Sequence, residues 1–219
     1  MTDPIYRLWN FGLGDHWQSM CLFRHLARAG NRPTVSTMQH GTDFRRRVRE
    51  IHDVLEPENG VNFTTYGSTD DLDGFDVWAC PLWPTRAQWE FPTGIRPRFC
   101  YQFDGESSAR EKNPPPEDQT RLMAHLNDLG YAGIRLNSNM SIADCVCALA
   151  LCDFFVGCDS GMSHIAHSVR TPVYLLEYEL PVITCHRGKA YTLCRGVDEF
   201  IGQSERYLNL AKKLRVGAL

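Results

Sequence analysis

The residues whose types and spacing most clearly suggest ligand binding lie in a short turn, Gly157-Cys158-Asp159-Ser160-Gly161, between two apolar segments. The apolar run 154–156 precedes the turn, small residues at helical spacing follow it, and Pro172 opens a second apolar run. This order predicts a strand, a turn, a helix and a second strand. In open α/β sheets, ligands bind at the carboxyl ends of the parallel strands, where a helix that begins there directs its N–H groups outward. The turn is therefore a candidate phosphate-binding site.

Four residues around this turn are candidate ligand-binding residues: Asp159, Ser160, Gly161 and His164. His164 follows Ser160 by one helical turn, so its side chain can reach a phosphate bound where the helix begins. A structural interpretation stands beside this one. Asp159 or Ser160 would then be an N-cap that accepts hydrogen bonds from the first free N–H groups of the helix. Both interpretations can hold at once.

A second turn, Gly12-Leu13-Gly14-Asp15, follows the apolar and aromatic segment 5–11. It is not a full dinucleotide-binding fingerprint, because Trp17 occupies the position of the third glycine. The structural interpretation is a tight turn in which Asp15 is favourable near a helix N-terminus. In the functional interpretation the Asp15 carboxylate faces a cleft and takes a proton from an acceptor hydroxyl.

Two cationic residues, Arg110 and Lys112, lie in the loop that follows the predicted strand 98–103. This loop also belongs to the carboxyl side of the sheet. Two cations there can neutralise a leaving diphosphate, where negative charge grows as a glycosyl bond breaks. The alternative is a solvated charge pair with Glu111.

The elements that must position these residues alternate between strands and helices, which predicts an α/β fold with a mostly parallel sheet. A proline-rich segment, 81–97, divides the pattern, which restarts after it. We therefore predict two Rossmann-like domains that face a cleft, one over residues 1–97 and one over residues 98–219. The predicted strands are 5–11, 33–38, 61–66, 75–80, 98–103, 133–137, 154–156 and 172–177, and the principal predicted helices are 42–55, 117–129, 142–152 and 204–214.

The composition is that of a globular protein: 219 residues, 43% hydrophobic and 22% charged, with a net charge of −3. This charge gives no general attraction to nucleic acid or to anionic membranes. No apolar run approaches the roughly 20 residues of a membrane-spanning helix, so no stable membrane insertion is expected. The nine cysteines are odd in number and follow no signal peptide. They predict buried free thiols in a reducing cytoplasm rather than disulfides or a metal site.

The basic run Arg45-Arg46-Arg47, with Arg49, is the local candidate for binding an anionic polymer. An apolar stripe at matching helical spacing, which includes Phe44, Val48 and Ile51, favours instead the solvated face of a helix.

Taken together, these motifs resemble glycosyltransferase family 9, the ADP-heptose:lipopolysaccharide heptosyltransferase-like enzymes with the two-domain GT-B fold. The N-terminal turn, followed by Leu22-Phe23-Arg24-His25-Leu26, resembles the family's Gly-x-Gly-Asp segment and the helix after it. The C-terminal resemblance covers about 35 residues in order. It consists of Ser141-Ile142-Ala143-Asp144, the segment 148–153, the segment 156–166 and Thr171-Pro172-Val173.

The resemblance implies an inverting transfer of a sugar from a nucleotide-sugar to an acceptor hydroxyl, by direct displacement and without a metal ion or other cofactor. It implies that Asp15 is the catalytic base. The implied donor-binding residues are Lys112, Asp159, Ser160, Gly161 and His164. Gly12, Gly14 and Arg110 are further donor-binding candidates because of their places in the two loops. The acceptor is open: a glycan, a small molecule or, as a narrower variant suggested by the basic run, a modified base in DNA.

Two other functions fit the same sequence. A nucleotide-sugar epimerase or hydrolase would use the same scaffold and donor pocket without an acceptor. A non-catalytic relative would bind only a nucleotide or a partner protein.

Overall fold

The structure is a computed structural model. It describes residues 5–8, 14, 17, 34–37, 47, 50–51, 62–64, 98–105, 112–178 and 191–216.

The N-terminal part contains a three-stranded parallel sheet. Its strands are β1 (Ile5–Leu8), β2 (Thr34–Thr37) and β3 (Asn62–Thr64), in the order β1-β2-β3. Ile5 pairs with Thr34, and Thr34 pairs with Asn62. Three of the predicted strands are thus confirmed over the residues that the structure describes. The predicted strand 75–80 lies outside the described residues.

The second sheet has five parallel strands in the order β5-β4-β6-β7-β8. Parallel strands need crossover connections, and helices supply those from β4 to its neighbour β5, from β5 across β4 to β6, and from β6 to its neighbour β7. The strands are β4 (Phe99–Gln102), β5 (Gly133–Arg135), β6 (Phe154–Gly157), β7 (Val173–Leu176) and β8 (Tyr191–Cys194). The helices are α1 (Pro116–Asp128), α2 (Ile142–Leu151), α3 (Gly161–Ser168), α4 (Gly196–Gly202) and α5 (Ser204–Val216).

The alternation of side chains along β6 divides the core between the two faces of this sheet. Phe155 packs in the cluster that contains apolar residues of α2 and α3. Phe154 and Val156 pack in the cluster that contains apolar residues of α1, α4 and α5. Both faces of β6 are therefore covered, which explains why its sequence is continuously apolar rather than alternating.

Helical residues of the N-terminal part belong to the same core. Trp17 and Ile51 are 1% and 0% exposed and pack in the cluster with residues of α2 and α3. Arg47 is not part of a solvated face, because its side chain is 12% exposed. Its guanidinium donates to the backbone oxygens of Met140, at 2.6 Å, and of Ser138. This residue of the basic run therefore forms internal hydrogen bonds that hold the segment before α2.

The predicted α/β class with parallel strands is confirmed, whereas β8 and α4 were not predicted. The division into domains at residue 97 stays a prediction. All six cysteines that the structure describes are buried free thiols, as the sequence predicted for them. Within the described segments, no helix has the length and apolar character needed to cross a membrane.

Candidate functional site

The candidate site forms where β4 and β6 end side by side. Gln102 pairs with Gly157 as the last register position, and the N–H of Cys158 donates to the Gln102 backbone oxygen at 3.1 Å. A Cβ atom at position 157 would lie 2.2 Å from that oxygen. Glycine is therefore needed at 157 because the two backbones approach too closely for any side chain.

The turn after β6 leads into α3 through Ser160, the N-cap residue, whose backbone is extended (φ −153°, ψ 171°). The Ser160 hydroxyl donates to Oε1 of Gln102 at 2.6 Å, while the Ser163 hydroxyl donates to the Ser160 backbone oxygen at 2.7 Å. The predicted helix start is confirmed. The side chain of Ser160 connects the turn to β4, which the sequence did not predict.

Asp159 places a largely buried carboxylate beside the beginning of α3. Its side chain is 15% exposed, and its Oδ1 atom is buried without a hydrogen-bond partner among the described residues. Burial raises the pKa of this carboxyl, and the nearby Lys112 ammonium partly offsets the rise. Oδ1 lies 3.9 Å from Nε2 of His164, so the turn and the first turn of α3 share one small polar region.

Lys112 enters the site from the loop between β4 and α1. The following residue, Asn113, holds this loop, because its Oδ1 accepts a hydrogen bond from the N–H of Gly105 at 2.9 Å. Among the described residues, Lys112 forms no hydrogen bond or ion pair. Its ammonium acts on the Asp159 carboxylate through space, and it adds a positive charge to this end of the sheet. Arg110, the other predicted cation, lies outside the described residues.

Gly14 brings the N-terminal turn into contact with His164. Gly14 is buried, and a Cβ atom there would lie 2.2 Å from Cδ2 and 2.8 Å from Nε2 of the His164 ring. The backbone at position 14 thus lies against the imidazole with no room for a side chain. Gly12 and Asp15 lie outside the described residues, but Asp15 directly follows Gly14.

Two nearby residues, His167 and Cys158, have side chains that could bind a ligand but are instead packed in the protein interior. His167 is 1% exposed and packs edge-on against the ring of Tyr191, with centroids 5.4 Å apart. Burial raises the pKa of the Cys158 thiol to about 12, so it is protonated at neutral pH. Both side chains are buried, so a ligand at the turn does not reach them.

The structure therefore brings together five of the predicted residues that it describes, namely Lys112, Asp159, Ser160, Gly161 and His164, with Gly14 behind the histidine. Sequence reasoning missed Gln102. The signal that could have identified it is its position at the carboxyl end of a strand adjacent to β6, but that adjacency is not visible in one sequence. Among the described residues, no group of three or more His, Cys, Asp or Glu side chains is arranged to hold a metal ion.

Comparison with protein families matches residues 112–176 to glycosyltransferase family 9 (heptosyltransferase). The matched segment begins at Lys112 and contains the whole turn and α3. The predicted resemblance to this family is thereby confirmed over this segment. A search of curated proteins gives no match.

Several solved structures are similar to the chain in fold. The E. coli ADP-heptose LPS heptosyltransferase II is 14% identical, with a TM-score of 0.55 and coverage of 95% of this chain and 99% of that one. The E. coli heptosyltransferase WaaC with ADP-2-deoxy-2-fluoro heptose is 11% identical, with a TM-score of 0.55 and coverage of 94% and 99%.

The iron-containing dodecameric glycosyltransferase TibC from enterotoxigenic E. coli H10407 is 16% identical, with a TM-score of 0.52. The alignment covers 80% of this chain and 58% of TibC, so this chain spans less than two thirds of the TibC chain. At these identities the likeness concerns the fold.

Proposed function

We propose that this chain is a glycosyltransferase that moves a sugar from a nucleotide-sugar donor to an acceptor hydroxyl, with inversion and without a metal ion. The observation that carries the proposal is the contact of Gly14 with His164. It joins the turn that contains the candidate base to the segment that matches glycosyltransferase family 9. A base and a donor site must be adjacent for direct displacement, and this contact supports that adjacency.

The diphosphate of the donor would bind between the beginning of α3 and Lys112. The N-terminus of a helix carries partial positive charge and directs N–H groups at a ligand. The Lys112 ammonium adds a full positive charge. Together they stabilise the diphosphate as it leaves, which is where negative charge grows in the transition state.

Asp159 would bind a different part of the donor. A carboxylate repels phosphate, but it accepts hydrogen bonds strongly from hydroxyl groups. Its Oδ1 atom is buried without a hydrogen-bond partner among the described residues. A hydroxyl of the transferred sugar or of the ribose would satisfy it. Asp159 would thus orient the donor, while Lys112 and α3 neutralise its charge.

Asp15 would act as the general base. It directly follows Gly14 in the sequence, and Gly14 is the residue that contacts His164. In the reaction the acceptor oxygen attacks the anomeric carbon, its proton passes to the Asp15 carboxylate, and the bond from that carbon to the diphosphate oxygen breaks. One displacement of this kind inverts the configuration at the anomeric carbon.

The nucleotide to test first is ADP, because TibC and WaaC have been solved with ADP-D-beta-D-heptose and ADP-2-deoxy-2-fluoro heptose. In this proposal residues 98–219 bind the donor, and residues 1–97 bind the acceptor. The chemical class of the acceptor is left to a screen of glycans and small molecules, with hydroxylated DNA bases as a third class.

The experiment is a transfer assay on purified protein with ADP-sugars and the acceptor screen, run beside Asp15→Asn and Asp15→Ala. We expect wild-type protein to release ADP and form a new glycoside. Both variants should lose transfer, at least about a hundredfold, yet keep donor affinity. Equal activity in the variants would remove Asp15 from the mechanism. Release of free sugar without an acceptor would identify a hydrolase, and an isomerised donor would identify an epimerase.

A further inference from the structure

Gln102 is attached to the donor turn through both its backbone and its side chain. Its backbone oxygen accepts from the N–H of Cys158 at 3.1 Å, and its Oε1 accepts from the Ser160 hydroxyl at 2.6 Å. The side chain is half-buried. These bonds fix the amide plane of Gln102 beside the first residue of α3.

The amide nitrogen of Gln102, by contrast, forms no hydrogen bond with the described residues. This atom, Nε2, is also not one of the buried polar atoms that lack a partner. It is therefore accessible to solvent, on a side chain that is held against the donor turn. A primary amide offers two N–H donors at this atom once its oxygen is engaged.

We propose that Gln102 is a further donor-binding residue, which donates from its amide nitrogen to a phosphate oxygen of the diphosphate. This inference rests on the proposed function of the site. Because Ser160 gives its hydroxyl hydrogen to Gln102, Ser160 presents only oxygen lone pairs to the ligand and accepts from a donor hydroxyl. Gln102 thus binds the phosphate, and Ser160 binds a hydroxyl of the donor.

A neutral donor suits this position because a carboxylate is close. The Lys112 ammonium already interacts electrostatically with Asp159. A second cation next to Ser160 would be drawn to the same carboxylate. The amide of Gln102 carries no charge, so its N–H groups remain available to the phosphate.

The test measures diphosphate affinity by isothermal titration, with inorganic pyrophosphate and with the tightest binder among ADP, UDP, GDP, CDP and dTDP as probes. Gln102→Met removes both N–H donors and should weaken binding about tenfold. Gln102→Glu keeps an acceptor for Ser160 but adds negative charge, and should weaken binding about a hundredfold or more. Gln203→Met, at a half-buried position between α4 and α5, is the matched control and should bind like wild type.

A binding role is separated from a structural one by the melting temperature without ligand. We expect Gln102→Glu to lose affinity by far more than its melting temperature falls, because it keeps the hydrogen bond from Ser160 and adds only repulsion from Asp159, whereas a residue that only holds the turn would lose both in proportion. Wild-type affinity in Gln102→Met and Gln102→Glu would overturn the role of Gln102 and leave the proposed function standing. If wild-type protein bound no probe, the proposed function and this inference would fail together.

Discussion

The indole of Trp17 donates a buried hydrogen bond, 2.8 Å long, from Nε1 to the hydroxyl oxygen of Ser168 at the end of α3. The Ser168 hydroxyl in turn donates to the backbone oxygen of Ile165, at 2.7 Å, in the same helix. A residue close to the N-terminal turn is thus bonded directly to the helix that begins at the donor turn. The two predicted halves of the site depend on each other for their position.

Trp17→Phe tests this connection. The variant removes the N–H donor and part of a side chain that is 1% exposed, so we expect a loss of about 2–4 kcal/mol in the free energy of unfolding. Urea denaturation of Trp17→Phe, Ser168→Ala and the double variant gives the coupling energy of the pair. We expect a coupling of about 1 kcal/mol, and strictly additive effects would contradict a direct bond.

Gly14→Ala should displace the His164 ring, because its new methyl carbon would lie 2.2 Å from Cδ2 of that ring. We expect donor affinity or transfer activity to fall about tenfold or more. The matched control is Gly202→Ala in α4, where a Cβ atom meets nothing within 4 Å. That variant should keep wild-type activity.

A double variant shows whether the Gly14 effect acts through the histidine. In a His164→Ala background the ring is absent, so Gly14→Ala should have little further effect. A full tenfold loss in both backgrounds would mean that Gly14 acts on something other than His164.

Arg47→Met tests whether this arginine is structural. The variant loses hydrogen bonds to the backbone oxygens of Ser138 and Met140 before α2, so we expect a loss of about 2–3 kcal/mol in the free energy of unfolding. Arg121→Met is the control. Arg121 is 51% exposed and pairs with Asp118 and Asp198 at the surface, where solvent screens both pairs, so we expect almost no change in the free energy of unfolding. Similar losses in both variants would show that the bonds of Arg47 carry little energy.

Asp159→Asn should stabilise the protein at neutral pH. Burial raises the pKa of the Asp159 carboxyl, so its stabilising contribution is complete below the unfolded-state pKa and is lost as pH rises through the folded-state pKa. Asparagine does not titrate. We expect its melting temperature to exceed that of wild type by about 2–4 °C at pH 7, for a gain of about 1 kcal/mol.

The difference should disappear below about pH 3, about one unit under the unfolded-state pKa of aspartate, where the carboxyl is neutral in both states. Transfer activity should fall in the same variant, because the carboxylate no longer binds its hydroxyl. A lower melting temperature for Asp159→Asn at pH 7 would show that the charge stabilises the fold, and so contradict this account of the site.

The local sequence was sufficient to predict the central unit of the fold, which consists of β6, α3 and β7. The apolar run of β6, the small residues of α3 and the apolar run of β7 lie next to one another in the chain, so their periods and the turn between them predict the elements. The helix predicted over 117–129 is observed over Pro116–Asp128. Its proline-rich start is a local signal of the same kind.

What sequence reasoning missed depends on distant contacts. Strand β8 is short, and Leu193 within it is exposed, so its place at the sheet edge comes from pairing with β7. The role of Arg47 depends on backbone oxygens more than 90 residues away. Gln102 joins the site only because β4 lies beside β6. None of these has a local pattern that marks it.

The most direct measurement of the central claim is a thermal-shift panel of ADP, UDP, GDP, CDP and dTDP with wild-type protein and Lys112→Met, without added metal. Saturation at about a hundred times the dissociation constant stabilises a protein by about 2.7 kcal/mol, which raises the melting temperature by several degrees. We predict that one diphosphate gives this shift with wild type and a much smaller one with Lys112→Met. If no diphosphate changes the melting temperature of wild-type protein, the site does not bind a nucleotide-sugar and the account is wrong.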